Sequence, residues 1–206
     1  MKPQSFTHIE TTEKVVALTF DDGPYLPYTP QVLSILEKYD AKATFYFQGT
    51  HIEENFDCAV RAHQLGHELG NHSYSHRSFR KRPPTSLYRE IVRTDKLLEK
   101  IGVDYQTTFR PPFGEVTFML GIILWKLNKK VIYYSVVPKE HELITPENIH
   151  DYCVKNVFPG SVIVLHDGGK NRENTVLAVE MIVKTLTEKG YSFKTISDLF
   201  GFGNGH

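Results

Sequence analysis

Four short clusters of ionisable residues each follow a run of apolar, β-prone residues. They are Asp21-Asp22-Gly23-Pro24, Asn71-His72-Ser73-Tyr74-Ser75-His76, Arg110-Pro111-Pro112-Phe113-Gly114 and Leu165-His166-Asp167. Taken alone, any one of them is a plausible turn or an ordinary surface feature. In a parallel α/β barrel the carboxyl ends of the strands converge on one face, where active sites are built. Four clusters in the same relative place therefore predict one composite site.

The two histidines of the second cluster, His72 and His76, have a spacing that puts both imidazoles on one side of a helical turn. One neighbouring carboxylate would complete three ligands for a divalent metal and leave positions for water and substrate. Zinc suits such a site, and cobalt, nickel, manganese or iron can also occupy it. The alternative is that both histidines only hydrogen-bond loop backbone, which the adjacent acidic pair disfavours.

Short β-prone runs alternate with helical patterns along the chain. Strands are predicted at Val15–Asp21, Ala43–Gln48, Glu68–His72, Thr107–Arg110, Lys130–Val136, Ser161–His166 and Tyr191–Ile196. Helices are predicted near Phe56–Leu65, Ser86–Ile101, Thr117–Leu127 and Asn174–Lys189. Two further helices should start at Thr29-Pro30 and Thr145-Pro146, where a threonine cap precedes a proline at the first helical position.

This alternation indicates an α/β protein in which parallel strands are joined by helical crossovers. An open doubly wound sheet and a barrel both fit the pattern. About seven strands, with no glycine-rich phosphate loop after the first, favour an irregular (β/α) barrel. The 206 residues fit one domain spanning residues 1–206.

Composition and charge limit the partners. Lys plus Arg and Asp plus Glu both number 24, and this balance argues against a nucleic-acid binder and against electrostatic membrane binding. No apolar run reaches the ~18 residues that span a bilayer, so no membrane insertion is expected. The first 13 residues lack the features of a signal peptide, which fits either a cytoplasmic protein or a secreted or cell-envelope protein without its leader. The oligomeric state is unknown from the sequence.

Four segments resemble motifs of the polysaccharide deacetylases, the family 4 carbohydrate esterases that share a NodB-type catalytic domain. The segments are Thr19–Pro24, His72–His76, Arg110–Gly114 and Val164–Asp167, in the order of the family. The resemblance covers about residues 14 to 200 and implies a distorted barrel of seven or eight parallel strands. It also implies metal-dependent removal of N-acetyl groups from N-acetylglucosamine-containing glycans, of chitooligosaccharide or peptidoglycan type, with release of acetate.

The resemblance assigns a role to each matching residue on the metal side. It makes Asp22, His72 and His76 the ligands of one divalent metal ion, with Zn²⁺ favoured and Co²⁺, Ni²⁺ or Mn²⁺ also suitable. Asp21 becomes the general base. Arg110 would pair with Asp21 and keep that carboxylate ionised, as a nearby cation does.

On the other side, the resemblance makes His166 the general acid that protonates the departing amine. The backbone N–H of Phe113 would be an oxyanion donor, and Tyr134 with Leu165 would wall a pocket for the acetyl methyl. The family's fourth motif, a Trp followed by Asp residues, is missing here, because the corresponding stretch holds Val136 and Val137. No carboxylate stands there to orient the histidine. Glu140 is the nearest substitute, and the sequence does not give its reach.

Three other functions stay open at this point. Two histidines and one carboxylate also form the iron site of oxygenases, although those enzymes usually have an all-β scaffold. A glycan-binding relative with weak or no turnover would explain the missing aspartates. A hydrolase of the same fold could act on another non-peptide C–N bond. Aromatic residues near the motif ends could stack on sugars in an open groove; they are Tyr25, Tyr28, Tyr74, Phe79, Phe113 and Tyr134.

Overall fold

Short parallel strands and longer helices alternate through the part of the chain that the computed structural model describes, residues 2–104, 107–140, 142 and 145–202. The strands are β1 Ser5–Phe6, β2 Val15–Asp21, β3 Thr44–Phe47, β4 Glu68–Asn71, β5 Val131–Ile132, β6 Val162–His166 and β7 Ser192–Phe193. The helices are α1 Tyr28–Lys38, α2 Gly49–Glu54, α3 Phe56–Gln64, α4 Pro84–Ile101, α5 Phe118–Lys126, α6 Pro146–Asn156, α7 Glu173–Glu188 and α8 Ile196–Phe200. A 3₁₀ turn covers Pro112–Gly114.

The main sheet has the strand order β4-β3-β2-β6, and every pairing in it is parallel. β7 pairs with the start of β2, and β1 pairs with β5. The register places Asp21 opposite both Tyr46 of β3 and His166 of β6. The first and last ionisable clusters therefore lie side by side at the carboxyl edge of the sheet. The predicted parallel α/β architecture is confirmed.

The barrel is irregular because its far side is held by single β-bridges. Phe109 bridges to Asn71 and to Val131, and Val136 bridges to Ile163. Among the described residues no regular ladder closes the barrel. The strand predicted at Thr107–Arg110 is thus reduced to one bridging residue.

Two physical causes shorten the strands on this side. Pro111 and Pro112 have no N–H to donate, so a ladder cannot continue past Arg110. The carbonyls of Ile132 and Tyr133 accept hydrogen bonds from the Arg110 guanidinium, at 3.2 Å each. Those carbonyls bond to a side chain, and β5 ends after two residues.

Strand β2 shows how the sequence divides its two faces. Val16, Leu18 and Phe20 are fully buried in the main apolar core, which also contains side chains of α1 and α7. The alternate residues Thr19 and Asp21 face the interior of the barrel, because successive side chains in a strand point to opposite sides. The apolar face fixes the strand in place, and the polar face supplies the site.

Two helix starts differ in outcome. Thr145 caps α6 as predicted, with its hydroxyl accepting the N–H of Asn148 at 3.3 Å. Helix α1 begins at Tyr28 instead, so Thr29 lies in its first turn and is not the cap. Its hydroxyl donates to the Asp167 carboxylate instead. No helix among the described residues is long and apolar enough to cross a membrane.

Candidate active site

A cavity of about 410 Å³ lies at the carboxyl edge of the sheet. Its wall includes Asp21 and Asp22 on one side and His166 with Glu140 on the other. The four ionisable clusters of the sequence thus meet in one place. Two groups of side chains define this cavity, and we call them the three-ligand cluster (Asp22, His72 and His76) and the histidine–glutamate pair (His166 and Glu140).

The two adjacent aspartates point in different directions because the chain changes conformation between them. Asp21 ends strand β2, whereas Asp22 has a positive φ of 74°, which aspartate tolerates better than most residues. Gly23 follows with no room for a side chain, since a Cβ there would lie 2.5 Å from a carboxylate oxygen of Asp167. The tight turn therefore separates two carboxylates that are neighbours in sequence.

The loop from His72 to His76 is not the helical turn that the spacing predicted. Ser73 and His76 have positive φ values of 65° and 50°, and the chain bends back on itself. The two rings nevertheless come together, with centroids 5.0 Å apart. A right-handed helix cannot contain residues at positive φ, so tertiary contacts shape this loop.

Glu90 of α4 supplies those contacts, and no motif or spacing in the chain predicts this role. Its carboxylate accepts the N–H groups of Tyr74 and Ser75, at 3.1 and 2.8 Å, and the Ser75 hydroxyl at 2.8 Å. Burial alone would raise the pKa of Glu90, but the bonds from Ser75 and the charge of Arg82 hold it below the ordinary value. An ionised acid therefore anchors the histidine loop from behind.

Within the three-ligand cluster, the donor atoms converge. Oδ1 of Asp22 lies 3.2 Å from Nε2 of His76 and 3.6 Å from Nε2 of His72. Donor atoms around a tetrahedral ion at about 2.0 Å lie about 3.3 Å apart. The spacing therefore fits a small divalent cation.

Hydrogen bonding agrees with that fit. Oδ1 of Asp22 is buried and accepts no hydrogen bond from the described residues. Nδ1 of His72 lies 2.7 Å from the carbonyl oxygen of Arg110, which only accepts, so the proton is on Nδ1 and the lone pair on Nε2. A buried carboxylate oxygen without a donor is costly unless a cation joins it. The cluster is suited to hold a metal ion.

Asp21 is paired with a fully buried arginine. Nη1 of Arg110 donates to Oδ1 of Asp21 at 2.8 Å and to the hydroxyl of Thr19 at 2.7 Å, and the guanidinium stacks on Tyr46 at 4.1 Å. Burial alone would raise the pKa of Asp21. The charge and hydrogen bond of Arg110, together with the charge of His166, outweigh burial and hold this pKa below the ordinary value. Asp21 is therefore an ionised acceptor inside the cavity.

His166 contacts Glu140 by a short hydrogen bond between Nδ1 and Oε2. Burial alone would lower the pKa of His166, but the hydrogen bond and charge of Glu140, together with Asp21 and Asp22, raise it to about 9. The cavity thus contains a carboxylate of low pKa and an imidazole of high pKa.

The three residues expected at the substrate end differ in placement. Phe113 and Tyr134 line the cavity, and the Phe113 ring lies 4.8 Å from that of His76. Leu165 does not line it: its side chain is fully buried in the core on the outer face of β6. Val164 lines the cavity in its place, because neighbouring residues of a strand face opposite sides. Of the other aromatic candidates, Phe79 is buried in a separate core cluster.

Asp167 packs against the turn formed by Asp21, Asp22 and Gly23, and this role was not predicted. Its carboxylate accepts the Thr29 hydroxyl at 2.6 Å, and its N–H donates to the Asp21 carbonyl at 3.2 Å. Burial raises the pKa of Asp167 to about 7, with Asp22 adding to the rise and the Thr29 bond opposing it. The pair Thr29-Pro30 predicted a helix cap, and it did not indicate the hydrogen bond from Thr29 to Asp167.

Comparison with known proteins gives consistent matches. A family model described as polysaccharide deacetylase matches residues 8–130. A peptidoglycan-N-acetylglucosamine deacetylase of Bacillus cereus is 34% identical over 200 residues, covering 94% of this chain and 92% of that protein. A chitooligosaccharide deacetylase of Azorhizobium caulinodans is 28% identical over 200 residues, covering 91% and 95%.

A solved structure is similar over the whole chain. It is a peptidoglycan N-acetylglucosamine deacetylase in complex with 4-naphthalen-1-yl-N-oxidanyl-benzamide, with a TM-score of 0.92 and 29% identity. The match covers 100% of this chain and 96% of that one. The two chains therefore share one overall fold along nearly their whole lengths.

Proposed function

The chain belongs to the polysaccharide deacetylase family, and we propose that it hydrolyses the N-acetyl group of N-acetylglucosamine-containing glycans and releases acetate. One observation carries the proposal. An ionised Asp21 and a His166 of raised pKa line one cavity, beside a cluster suited to a divalent cation. Two groups whose pKa values are pushed apart in this way suit a base and an acid.

We propose that Asp22, His72 and His76 hold the cation. Zinc is the proposed ion, and cobalt, nickel or manganese could replace it. When bound, such an ion polarises the amide carbonyl, stabilises negative charge on its oxygen and acidifies water. The family depends on divalent metals in general. An all-β oxygenase is disfavoured by the α/β fold described above.

The protein's own side chains then handle the protons. Asp21 accepts a proton from the attacking water, whose oxygen forms the new bond to the acetyl carbon. Arg110 holds Oδ1 of Asp21, so Oδ2 is the oxygen available to take this proton. As the C–N bond breaks, His166 gives its proton to the amine nitrogen. The products are acetate and a free amino sugar. The site is restored when Asp21 loses its proton and His166 takes one up.

Substrate contacts are assigned from the cavity wall. The backbone N–H of Phe113 is proposed as a second donor to the developing oxyanion. Tyr134 and Val164 are proposed to contact the acetyl methyl, with Leu165 packed behind the strand. The open cavity suits a chain of sugars better than a single one, because neighbouring sugars contribute binding energy that orients the reacting amide.

Three cations on the cavity wall favour an anionic glycan over a neutral one. Lys139, Lys170 and Arg172 all line the cavity, and of these Lys139 also pairs with Glu142 at 3.1 Å. Among the cavity's carboxylates, Asp21 is paired with Arg110, and Glu140 with His166 and Thr175. The zero net charge of the chain gave no such preference, because it averages over the surface. Peptidoglycan, which carries carboxylates next to its N-acetylglucosamine, therefore fits the cavity better than chitin.

Acetate release from purified, zinc-loaded protein tests the function. We expect turnover on peptidoglycan fragments and on chitotetraose, with kcat/KM about tenfold or more above that for free N-acetylglucosamine, or about 1.4 kcal/mol of added binding. Added salt should slow the peptidoglycan reaction more than the chitotetraose reaction, because it screens the lysines. If kcat/KM does not rise with chain length, a small-molecule amidase replaces the proposal. If no glycan yields acetate, the proposal is replaced by a glycan-binding protein without turnover.

A further inference from the structure

Helix α2, Gly49–Glu54, contributes no side chain to the cavity wall, yet it contacts both segments that carry the proposed metal ligands. One is the aspartate turn, residues 21–24, which carries Asp22. The other is the histidine loop, residues 72–76, which begins and ends with the two histidines of the three-ligand cluster. The helix is therefore placed to set how far apart the ligands lie.

The first turn of α2 holds the histidine loop through the backbone. The N–H of Gly49 donates to the Ser73 carbonyl and the N–H of Thr50 to the Tyr74 carbonyl, each at 2.9 Å. The first N–H groups of a helix have no partner inside it, so they are available for such bonds. A Cβ at Gly49 would lie 2.5 Å from the Tyr74 ring and 3.0 Å from its Cα. Helix and loop are thus packed without room for adjustment.

The residues that flank α2 hold the aspartate turn. The N–H of Gln48, which precedes the helix, donates to the Gly23 carbonyl at 2.9 Å. The side-chain amide of Asn55, which follows the helix, donates to the Pro24 carbonyl at 3.1 Å. One short helix with its two neighbours therefore joins the two segments that supply the metal ligands.

One side chain of α2 contacts a proposed ligand directly. Nδ1 of His51 lies 2.6 Å from the carbonyl oxygen of Asp22, which only accepts, so the proton is on Nδ1. The same oxygen packs against the backbone of Gly168, where a Cβ would lie 2.2 Å from it. The His51 ring also makes an edge contact with Tyr25, with centroids 5.5 Å apart. The imidazole and the Gly168 backbone together fix the peptide group that follows Asp22.

Resting on the metal site of the function proposed above, we propose that α2 sets the ligand geometry and that His51 is the positioning residue for Asp22. The backbone of Asp22 is at a φ of 74°, a conformation that residues other than glycine adopt infrequently, so it needs support from outside. Rotation of the peptide group after Asp22 would swing its carboxylate away from the two histidines. His51 thus acts on the metal through the carbonyl of a ligand and not through a ligand side chain.

Titration of zinc into the apo protein is the main test. His51→Leu removes the donor, and we expect the Kd for zinc to rise about 10- to 100-fold, the usual effect of losing a partner behind a ligand. His51→Asn should restore most of the affinity, because its amide nitrogen is as many bonds from the backbone as Nδ1. His51→Gln, whose nitrogen corresponds to Nε2, should not. Glu54→Gln, exposed on the same helix, is the matched control and should bind zinc as the unchanged protein does.

A double-mutant cycle separates positioning from general damage. In an Asp22→Asn background the charged ligand is already lost, so His51→Leu should add little further loss of zinc affinity. The visible absorption of the cobalt-loaded protein is a second readout, because it depends on ligand geometry. It should change in His51→Leu and return in His51→Asn. Thermal unfolding of the apo proteins is measured beside both, since lower apo stability with unchanged zinc affinity indicates a structural role only.

Two outcomes would overturn the inference. One is an unchanged zinc affinity in both His51→Leu and His51→Gln. The other is a cycle in which the losses from His51→Leu and Asp22→Asn add fully. Where His51→Leu does not fold, the comparison of His51→Gln with His51→Asn decides. A protein that binds no divalent metal overturns the metal site and this inference with it, whereas metal binding without acetate release overturns the glycan function alone.

Discussion

The three-ligand cluster and the histidine–glutamate pair stand in one cavity but are built in opposite ways. The residue types and spacing of the surrounding segments predict the three-ligand cluster, Asp22, His72 and His76. Two of these residues, Asp22 and His76, have positive φ values. His166 ends a regular strand, and its partner Glu140 comes from an irregular segment, in the stretch that corresponds to the fourth motif of the family.

The difference follows from what each group must do. Three ligand atoms must converge on one point to bind a metal, so local backbone and a supporting acid such as Glu90 fix them closely. Orienting an imidazole needs one acceptor at Nδ1, and a carboxylate can reach that atom from several directions. The metal side therefore depends on local backbone geometry, while the acid side depends on one contact between segments far apart in the chain.

The largest expected effect is at the metal side. His72→Ala removes one of the three proposed ligands and also the Nδ1 bond to the Arg110 carbonyl, so both metal binding and measurable turnover should be lost. Elemental analysis after dialysis, beside an acetate assay, checks this. Full metal occupancy in the variant would mean that His72 is not a ligand.

The second prediction separates the two adjacent aspartates. Asp21→Asn should keep the metal and lose about 10²–10⁴-fold in kcat, because an amide cannot accept the proton of water. Asp22→Asn should lower metal affinity as well, because it removes the charged ligand. Titration of metal into both apo variants makes the comparison. Equal affinities would contradict the division of roles that the turn geometry suggests.

A smaller effect is expected at His166. His166→Ala should lower kcat on chitotetraose more than it raises KM, because protonation of the amine matters in the transition state and not in binding. Steady-state kinetics on chitotetraose measure both constants. An unchanged kcat would rule out the acid role and would also remove the reason for the Glu140 pairing.

The pH profile sharpens the same comparison. The proposed mechanism needs Asp21 ionised and His166 protonated. The pKa of Asp21 lies below its ordinary value, so the base stays active into the acid range. The pKa of His166 is about 9 against an ordinary 6.5, and a bound cation should lower it by repelling the imidazolium. We expect kcat to fall on the alkaline side between those two values, and this limb should vanish in His166→Ala.

Three elements show which strand bounds and side-chain orientations could be predicted from the sequence. Strand β2, Val15–Asp21, was predicted to the residue, because a continuous apolar run ending in two aspartates has few other structures. The strand at Thr107–Arg110 was overestimated, since its pairing depends on two prolines and on an arginine that takes the neighbouring carbonyls. Leu165 was placed on the wrong face, and only the register with β2 makes Val164 the inward residue.

The sequence by itself determined the parallel α/β architecture and the identity of the residues that meet at its carboxyl edge. Those features depend on local propensity and on short motifs, which are properties of neighbouring residues. The tertiary structure alone decided that Glu90 shapes the histidine loop, that Asp167 supports the aspartate turn and that Glu140 reaches His166. Each of these contacts joins residues 15 or more positions apart, and a hydrogen bond over such a separation leaves no periodic signal in the chain.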